Sequence, residues 1–175
     1  MTAVEAYELT TKGGATDFAR LIAACESFGP YCVIGGLAVN CYVDAVYTLD
    51  ADLVLVASRL ADLEAHLQAQ GFVTEAHVHS LNAQAAGSEL RIQFTIDQRY
   101  QEFLERAIDA EVLGVPVRIA CLADVTQGKL WAYGDPKRRF SKRKKDELDL
   151  IRLAEAYPEL KARYPGELRE QIDRG

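Results

Sequence analysis

The sequence predicts an α+β fold, a mixed β-sheet flanked by helices and followed by a helical C-terminal portion. Three observations point there. Apolar periodicity alternates between 3.6 and 2 across the first 120 residues; residues 33–56 run strand, glycine pair, helix, strand; and beyond Leu122 the pattern is wholly helical. With 175 residues, the chain suits one compact unit, an α/β core over 1–120 carrying a helical extension over 121–175.

The elements follow in order. Residues 16–28 predict a helix: Thr16 or Asp17 can cap it, Phe18, Leu21, Ile22 and Cys25 recur at helical spacing, and Gly29-Pro30 stops it. A strand follows at 31–34, Gly35-Gly36 breaks the pattern, and 37–42 opens a second helix. Residues 47–56 alternate and then become continuously apolar, as a strand entering a buried sheet does. Leu60, Leu63 and Leu67 place a helix over 59–70, closed by Gly71. Residues 72–79 form a further strand candidate. In 90–97, Leu90, Ile92, Phe94 and Ile96 share one strand face, with Arg91, Gln93, Thr95 and Asp97 on the other. Tyr100, Phe103, Leu104 and Ala107 predict a helix over 98–110. Residues 114–120 (GVPVRIA) read as a short edge-like strand, with the proline near its start.

Bulk composition is that of a globular protein, with 49% hydrophobic and 26% charged residues. Neither a signal peptide nor an apolar run of membrane-spanning length is evident, so the expectation is a cytoplasmic protein with no membrane partner. Cys25, Cys32, Cys41 and Cys121 have no metal-binding spacing and read as reduced core residues in helix or strand interiors; His66, His77 and His79 form no ligand constellation. The net charge of -6 conceals seven cations between Lys137 and Lys145, which leaves about -13 for the rest of the chain. Such a block suits phosphate or nucleic acid, and equally a solvated helix start paired with nearby acids. The acidic remainder argues against a broad DNA-binding face.

Asp50 and Asp52, two apart on a strand, send both carboxylates from one face, roughly 7 Å apart along the chain. Like charges so placed repel, and a divalent cation relieves them. Mg2+ (or Mn2+), held by one or two carboxylates plus substrate phosphates, is the natural guest. Backbone amides at the Gly35-Gly36 turn add an anion site. Together these features describe a nucleoside triphosphate (NTP) site for in-line attack on an α-phosphate. Lys129 shares a helix face with apolar residues; a lysine there needs an anionic partner and could meet a triphosphate as a point charge. Trp131 and Tyr133 fit structural aromatics better than a base-stacking pair.

Gly35-Gly36, thirteen residues, then Asp50-Ala51-Asp52 resembles the nucleotidyltransferase superfamily signature, whose fold is the polymerase-beta-like mixed sheet. More narrowly, GGLAVN with YTLDADLVL resembles the AbiEii-type nucleotidyltransferases, some of which are toxins of toxin-antitoxin pairs. The resemblance implies that Gly35 and Gly36 cradle phosphates, that Asp50 and Asp52 hold metal, and that Thr48 supports the site. It also implies that a lysine helix precedes a K-D-x-x-D-L helix that closes over the nucleotide cleft, which puts Lys129, Lys145 and Asp146 near the site, with Lys129 and Lys145 binding the nucleotide. Lys145, Asp149 and Arg152 share one face of that second helix, where a surface ion-pair ladder accounts for them equally well.

The family commonly adds a third carboxylate on a later strand. Here Gln93 stands in the best position, and Asp97, of the right parity, lies about 13 Å further along. Val46 replaces an arginine often found two residues before the threonine. Arg91 shares the Gln93 face. The expected activity is metal-dependent transfer of a nucleoside monophosphate (NMP) from an NTP to a hydroxyl on RNA, protein or a small molecule, with Asp97 the candidate third catalytic carboxylate. The competing expectation is a catalytically degenerate nucleotide-binding or regulatory module with an antitoxin-like protein partner.

Overall fold

Why the chain folds as it does is clearest from where its apolar residues recur. A computed structural model describes residues 1–175. Helix α1 (Ala3–Thr10) begins at a capping box, in which Thr2 Oγ1 accepts from the Glu5 amide and the Glu5 carboxylate accepts from the Thr2 amide. Helix α2 (Gly14–Phe28) buries Phe18, Leu21, Ile22 and Cys25 and ends at Gly29. Strand β1 (Tyr31–Ile34) leads into the short helix α3 (Gly35–Val39), then β2 (Asp50–Leu55) and α4 (Leu60–Ala69). Next come β3 (Phe72–Ala76), β4 (Ser80–Ala85), β5 (Arg91–Thr95) and the single turn α5 (Gln98–Gln101). The chain continues with β6 (Ile108–Val112), β7 (Val115–Ile119), α6 (Leu122–Gly134), α7 (Phe140–Ala156) and α8 (Gly166–Arg174).

The seven strands form one mixed sheet in the order β3-β4-β5-β2-β1-β7-β6. β2 is antiparallel to β1 and parallel to β5, and β7 is parallel to β1. The α+β expectation is met. On β2, Ala51, Leu53 and Leu55 are fully buried, and with Ile92, Phe94, Leu81 and Ala83 they make one apolar sheet face; Asp50 and Asp52 leave the other. α2 packs on α4, and α4 on β3 and β4. α6 packs against α3 and α7. Thirty-nine buried apolar residues form a single core cluster.

Several elements differ from expectation. The helix expected over 98–110 is one turn of α5 and a 3-10 turn at Glu102–Leu104, after which the chain extends into β6. β6 escapes notice because Asp109 and Glu111 punctuate it and Ile108 is exposed. β7 is interior, not an edge. Its proline is tolerated because Pro116 faces Glu111 of β6 and lies three residues before the register point Val33↔Ile119 with β1. Leu113 and Gly114, both with positive φ, make the tight β6-β7 turn. The strand expected over 72–79 is the hairpin arm β3, whose partner β4 carries small and polar residues. All four cysteines are free thiols; Cys25 and Cys32 are buried within α2 and β1, whereas Cys41 and Cys121 are half-buried beside helix ends.

Candidate active site

A cleft of about 910 Å³ opens along the polar face of β2 and β5, roofed by α6 and the start of α7. Asp50 and Asp52 lie in it, beside Ile34, Gly35 and Gly36. The antiparallel pairing Ile34↔Asp52 brings the glycine pair, the next residues along the chain, to the second aspartate.

Gly35 opens α3 with a φ of +66°, and a Cβ there would overlap an Asp52 carboxylate oxygen and come 3.1 Å from Asp52 Cβ and Cγ. Glycine is therefore required at 35 for its conformation and because Asp52 occupies the space a side chain would need. Gly36 differs: a Cβ would meet Thr48 at an ordinary 3.7 Å.

The two carboxylates are held differently. Asp50 accepts from Arg91 Nε at 2.8 Å and Lys142 Nζ at 2.6 Å. Burial raises the Asp50 pKa, but the hydrogen bond and charge of Lys142, reinforced by Arg91 and Lys145, outweigh it, and the net shift is downward. The Asp52 carboxylate, by contrast, makes no hydrogen bond and no ion pair, although its backbone is paired in the sheet. Burial at the cleft floor pushes its pKa up; the charge of Asp50 adds to this, while Lys129 and Lys142 offset it in part.

Thr48 is buried and anchors the start of β2. Its Oγ1 accepts from the Asp50 amide and from Lys145 Nζ, each at 3.2 Å, and its carbonyl accepts from Tyr7 Oη at 2.9 Å. Tyr7, on a helix that sequence reasoning missed, thus braces the strand end that carries the aspartates. The capping-box pattern Thr2-x-x-Glu5 was the available signal.

Lys129 is only 7% exposed and faces the cleft, but its ammonium contacts Asp146 at 3.0 Å and Asp149 at 2.7 Å, both on α7. Arg138 also holds Asp146, and Arg152 also holds Asp149. The predicted anionic partner of Lys129 is therefore built into the protein. Asp149 and Arg152 belong to this buried network rather than to a surface ladder. Arg138, Arg139, Lys142 and Lys145, from the basic block, line the cleft.

In β5, Gln93 pairs with Asp52 in register. Asp97 lies past the strand end and outside the cleft lining; it caps α5 through the Arg99 amide and forms an ion pair with Arg99, which lowers its pKa. The structure therefore brings together Asp50, Asp52, Gly35, Gly36, Thr48, Lys129 and Lys145, and leaves Asp97 out. No cation comes from position 46, whose backbone bonds the Asn40 side chain; the cations on Asp50 come from β5 and α7. Trp131 packs against Tyr100 and Phe103, with Arg99 over its ring, as a structural aromatic.

A divalent cation fits this donor set as a guest shared with substrate. One carboxylate is unpartnered, and the other is held by two side chains that are partly exposed and free to yield. The chain supplies a pair of ligands there and no cluster of three; Mg2+ is commonly bound by one or two carboxylates with phosphate oxygens completing its sphere.

No family model matches the sequence, and no curated protein matches it either. Solved structures do resemble it. A crystal structure of ANT(2")-Ia in complex with adenylyl-2"-tobramycin has a TM-score of 0.63 at 17% identity, over 91% of this chain and 97% of that one. An antigenic nucleotidyltransferase-like protein from Paracoccidioides brasiliensis has a TM-score of 0.55 at 19% identity, over 81% and 75%. The lincosamide antibiotic adenylyltransferase LnuA, with lincomycin bound, has a TM-score of 0.50 at 10% identity, over 72% and 86%. At these identities the likeness is one of fold: the chain has the nucleotidyltransferase fold.

Proposed function

We propose that the protein transfers an NMP from an NTP to an acceptor hydroxyl. The observation that carries this reading is the unpartnered Asp52 carboxylate, half-buried at the floor of a cation-lined cleft beside Asp50 and the glycine pair. An ionised carboxylate so placed is costly for a merely structural protein and useful for binding a cation.

On this reading the triphosphate lies along Gly35-Gly36, with Arg138, Arg139, Lys142 and Lys145 facing its phosphates. Lys142 exchanges its bond to Asp50 for one to phosphate, and Asp50 then joins the already unpartnered Asp52 in holding Mg2+ or Mn2+. Bound there, the ion would neutralise phosphate charge and help align the α-phosphate. Lys129 adds positive potential beneath Asp52 while staying fixed to α7. The acceptor oxygen forms a bond to the α-phosphorus, the bond to the bridging oxygen breaks, pyrophosphate leaves with the electron pair, and the hydroxyl proton passes to solvent.

A second reading, the degenerate binding module, draws support from Gln93. A carboxamide in register with Asp52 cannot accept the acceptor proton as a carboxylate would, and a general base typically contributes about 10²- to 10⁴-fold. The finer AbiEii-type reading, with an antitoxin-like partner, has GGLAVN and YTLDADLVL in its support; the fold neighbours include enzymes of antibiotic adenylylation, which favour a small-molecule acceptor.

The test is transfer of label from each α-labelled NTP, with Mg2+ or Mn2+, into small-molecule, RNA and protein acceptors, beside Asp50→Ala and Asp52→Ala. Transfer lost in both variants supports the enzyme. Calorimetric NTP binding that needs both aspartates, without transfer, supports the binding module.

A further inference from the structure

We infer that the acceptor is an uncharged, polyhydroxylated small molecule lying on the exposed face of β5, β4 and β3, next to Asp52. The inference rests on the nucleotidyl-transfer reading and narrows it to an acceptor class.

Sheet register sets the argument. Asp52 pairs with Gln93, Gln93 with Asn82, and Asn82 with Glu75, so one row of side chains runs from the floor of the cleft to the sheet edge. Gln84 and Arg91 flank that row, and all of these residues line the cleft. The cleft thus has two chemically distinct ends. Around the glycine pair and α7 it is cationic; across β5, β4 and β3 it is a shelf of carboxamides.

Gln93 Nε2 donates to Asn82 Oδ1 at 3.1 Å, and the Asn82 amide lies 3.2 Å from His77 Nε2. These bonds fix the two amides while leaving Gln93 Oε1 and one hydrogen on each amide nitrogen for a ligand. A carboxamide presents donor and acceptor side by side, which matches a hydroxyl, itself both donor and acceptor.

The same shelf disfavours the alternatives. A polycation needs several free carboxylates, and beyond the aspartate pair the shelf has Glu75 alone. A nucleic-acid strand needs free cations and aromatic platforms. Arg91 is engaged by Asp50, and the shelf carries no aromatic side chain. Tyr100 and Phe103 border the cleft but pack on Trp131 and on each other. A hydroxyl bound at Gln93 stands beside Asp52, where the reacting α-phosphate lies in the proposed function.

The test uses the full chain with Mg2+ and an α-labelled NTP, offered three acceptor sets: neutral glycosides and cyclitols, polyamino sugars, and tRNA. Label is expected in the neutral set. Asn82→Leu and Gln93→Leu, both on an exposed face, should each raise the acceptor KM about 3- to 10-fold with the NTP KM unchanged. Label confined to tRNA or to polyamino sugars overturns the inference and leaves transfer standing. So does intact Mg2+-dependent NTP binding with no neutral acceptor labelled, or an acceptor KM indifferent to Asn82→Leu. Absence of Mg2+-dependent NTP binding by calorimetry removes the transfer reading itself, and this inference with it.

Discussion

Replacing Lys129 by Met removes one buried charge while keeping a long, helix-compatible side chain, and so probes how α6 is joined to α7. Lys129, Asp146 and Asp149 are 7%, 1% and 3% exposed, and the ammonium is the one group touching both carboxylates. Deleting one partner of a buried pair costs about 3–5 kcal/mol, because an uncompensated charge is left behind. Here Arg138 still reaches Asp146 at 2.6 Å and Arg152 still reaches Asp149 at 2.7 Å. Each carboxylate keeps a cation, so the loss should fall near the lower bound, about 3 kcal/mol. At roughly 2–4 °C per kcal/mol for a domain of this size, Tm should drop by about 6–12 °C. Burial lowers the Lys129 pKa, but Asp149 and Asp146 more than restore it, leaving it above the ordinary 10.5. A raised lysine contributes stability that is complete below its unfolded pKa and is lost only as pH rises through the folded one, so the difference should hold from neutral pH to about pH 9. Thermal melting by circular dichroism measures it, and Lys129→Met with Asp149→Asn should recover part of the loss. A loss below about 1 kcal/mol would refute the reasoning, by showing that the two arginines already neutralise both carboxylates.

Three further outcomes are expected. Asp52→Asn should be more stable than wild type at pH 8 in urea unfolding. Its folded pKa is raised, so the ionised form costs stability above that pKa, and the advantage should shrink as pH falls from the folded pKa to the ordinary 3.8 and vanish below it, where both states are protonated; equal midpoints at pH 8 would count against a costly Asp52. Gly35→Ala should destabilise the fold and abolish transfer by displacing the Asp52 carboxylate, whereas Gly36→Ala should stay within about 0.5 kcal/mol of wild type in the same unfolding assay; equal losses would show that contact with Asp52 does not set the requirement for glycine at 35. Tyr7→Phe removes the hydrogen bond to the Thr48 carbonyl and should cost about 1 kcal/mol by urea midpoint, an unchanged midpoint arguing that water replaces it.

The parts of this architecture that were legible in the sequence are those whose side chains carry a strong period. β2, α4 and β5 pair a buried apolar row with a polar one, β1 is a short apolar run buried on both faces, and the two aspartates stand out because they interrupt the apolar pattern next to a glycine turn. β4 and β6 were not legible. Their inward residues include Ala83, Ala85 and Ala110, too small to signal a core, and their outward residues are amides and acids that suit loops equally well. The carboxamide shelf is a product of register: Asn82 is unremarkable until β4 is found and paired with β5, and Gln93, noticed in the sequence only for standing where a carboxylate was expected, gains its neighbour by that pairing. Likewise Arg91 and Lys142 converge on Asp50 from distant segments, and only tertiary structure brings them together.

Helix α7 carries two kinds of charge whose effects are linked. Asp146 and Asp149 face inward and are neutralised by Lys129, Arg138 and Arg152; Lys142 and Lys145 face β2 and reach Asp50 and Thr48. The inward ion network fixes how α7 lies over α6, and that placement aims Lys142 at the cleft floor. The basic block is thus no simple solvated helix start: two of its lysines contact the strand that carries the aspartates, and Arg138 completes the buried network. Because Lys142 lies across Asp50 and lowers its pKa, while Asp52 has no partner and a raised one, the two carboxylates are unequal before any ligand arrives. On the proposed function, an incoming cation would meet its least opposition at Asp52, and incoming phosphate, by drawing Lys142 away, would make Asp50 available second, so cation and triphosphate should each strengthen the binding of the other.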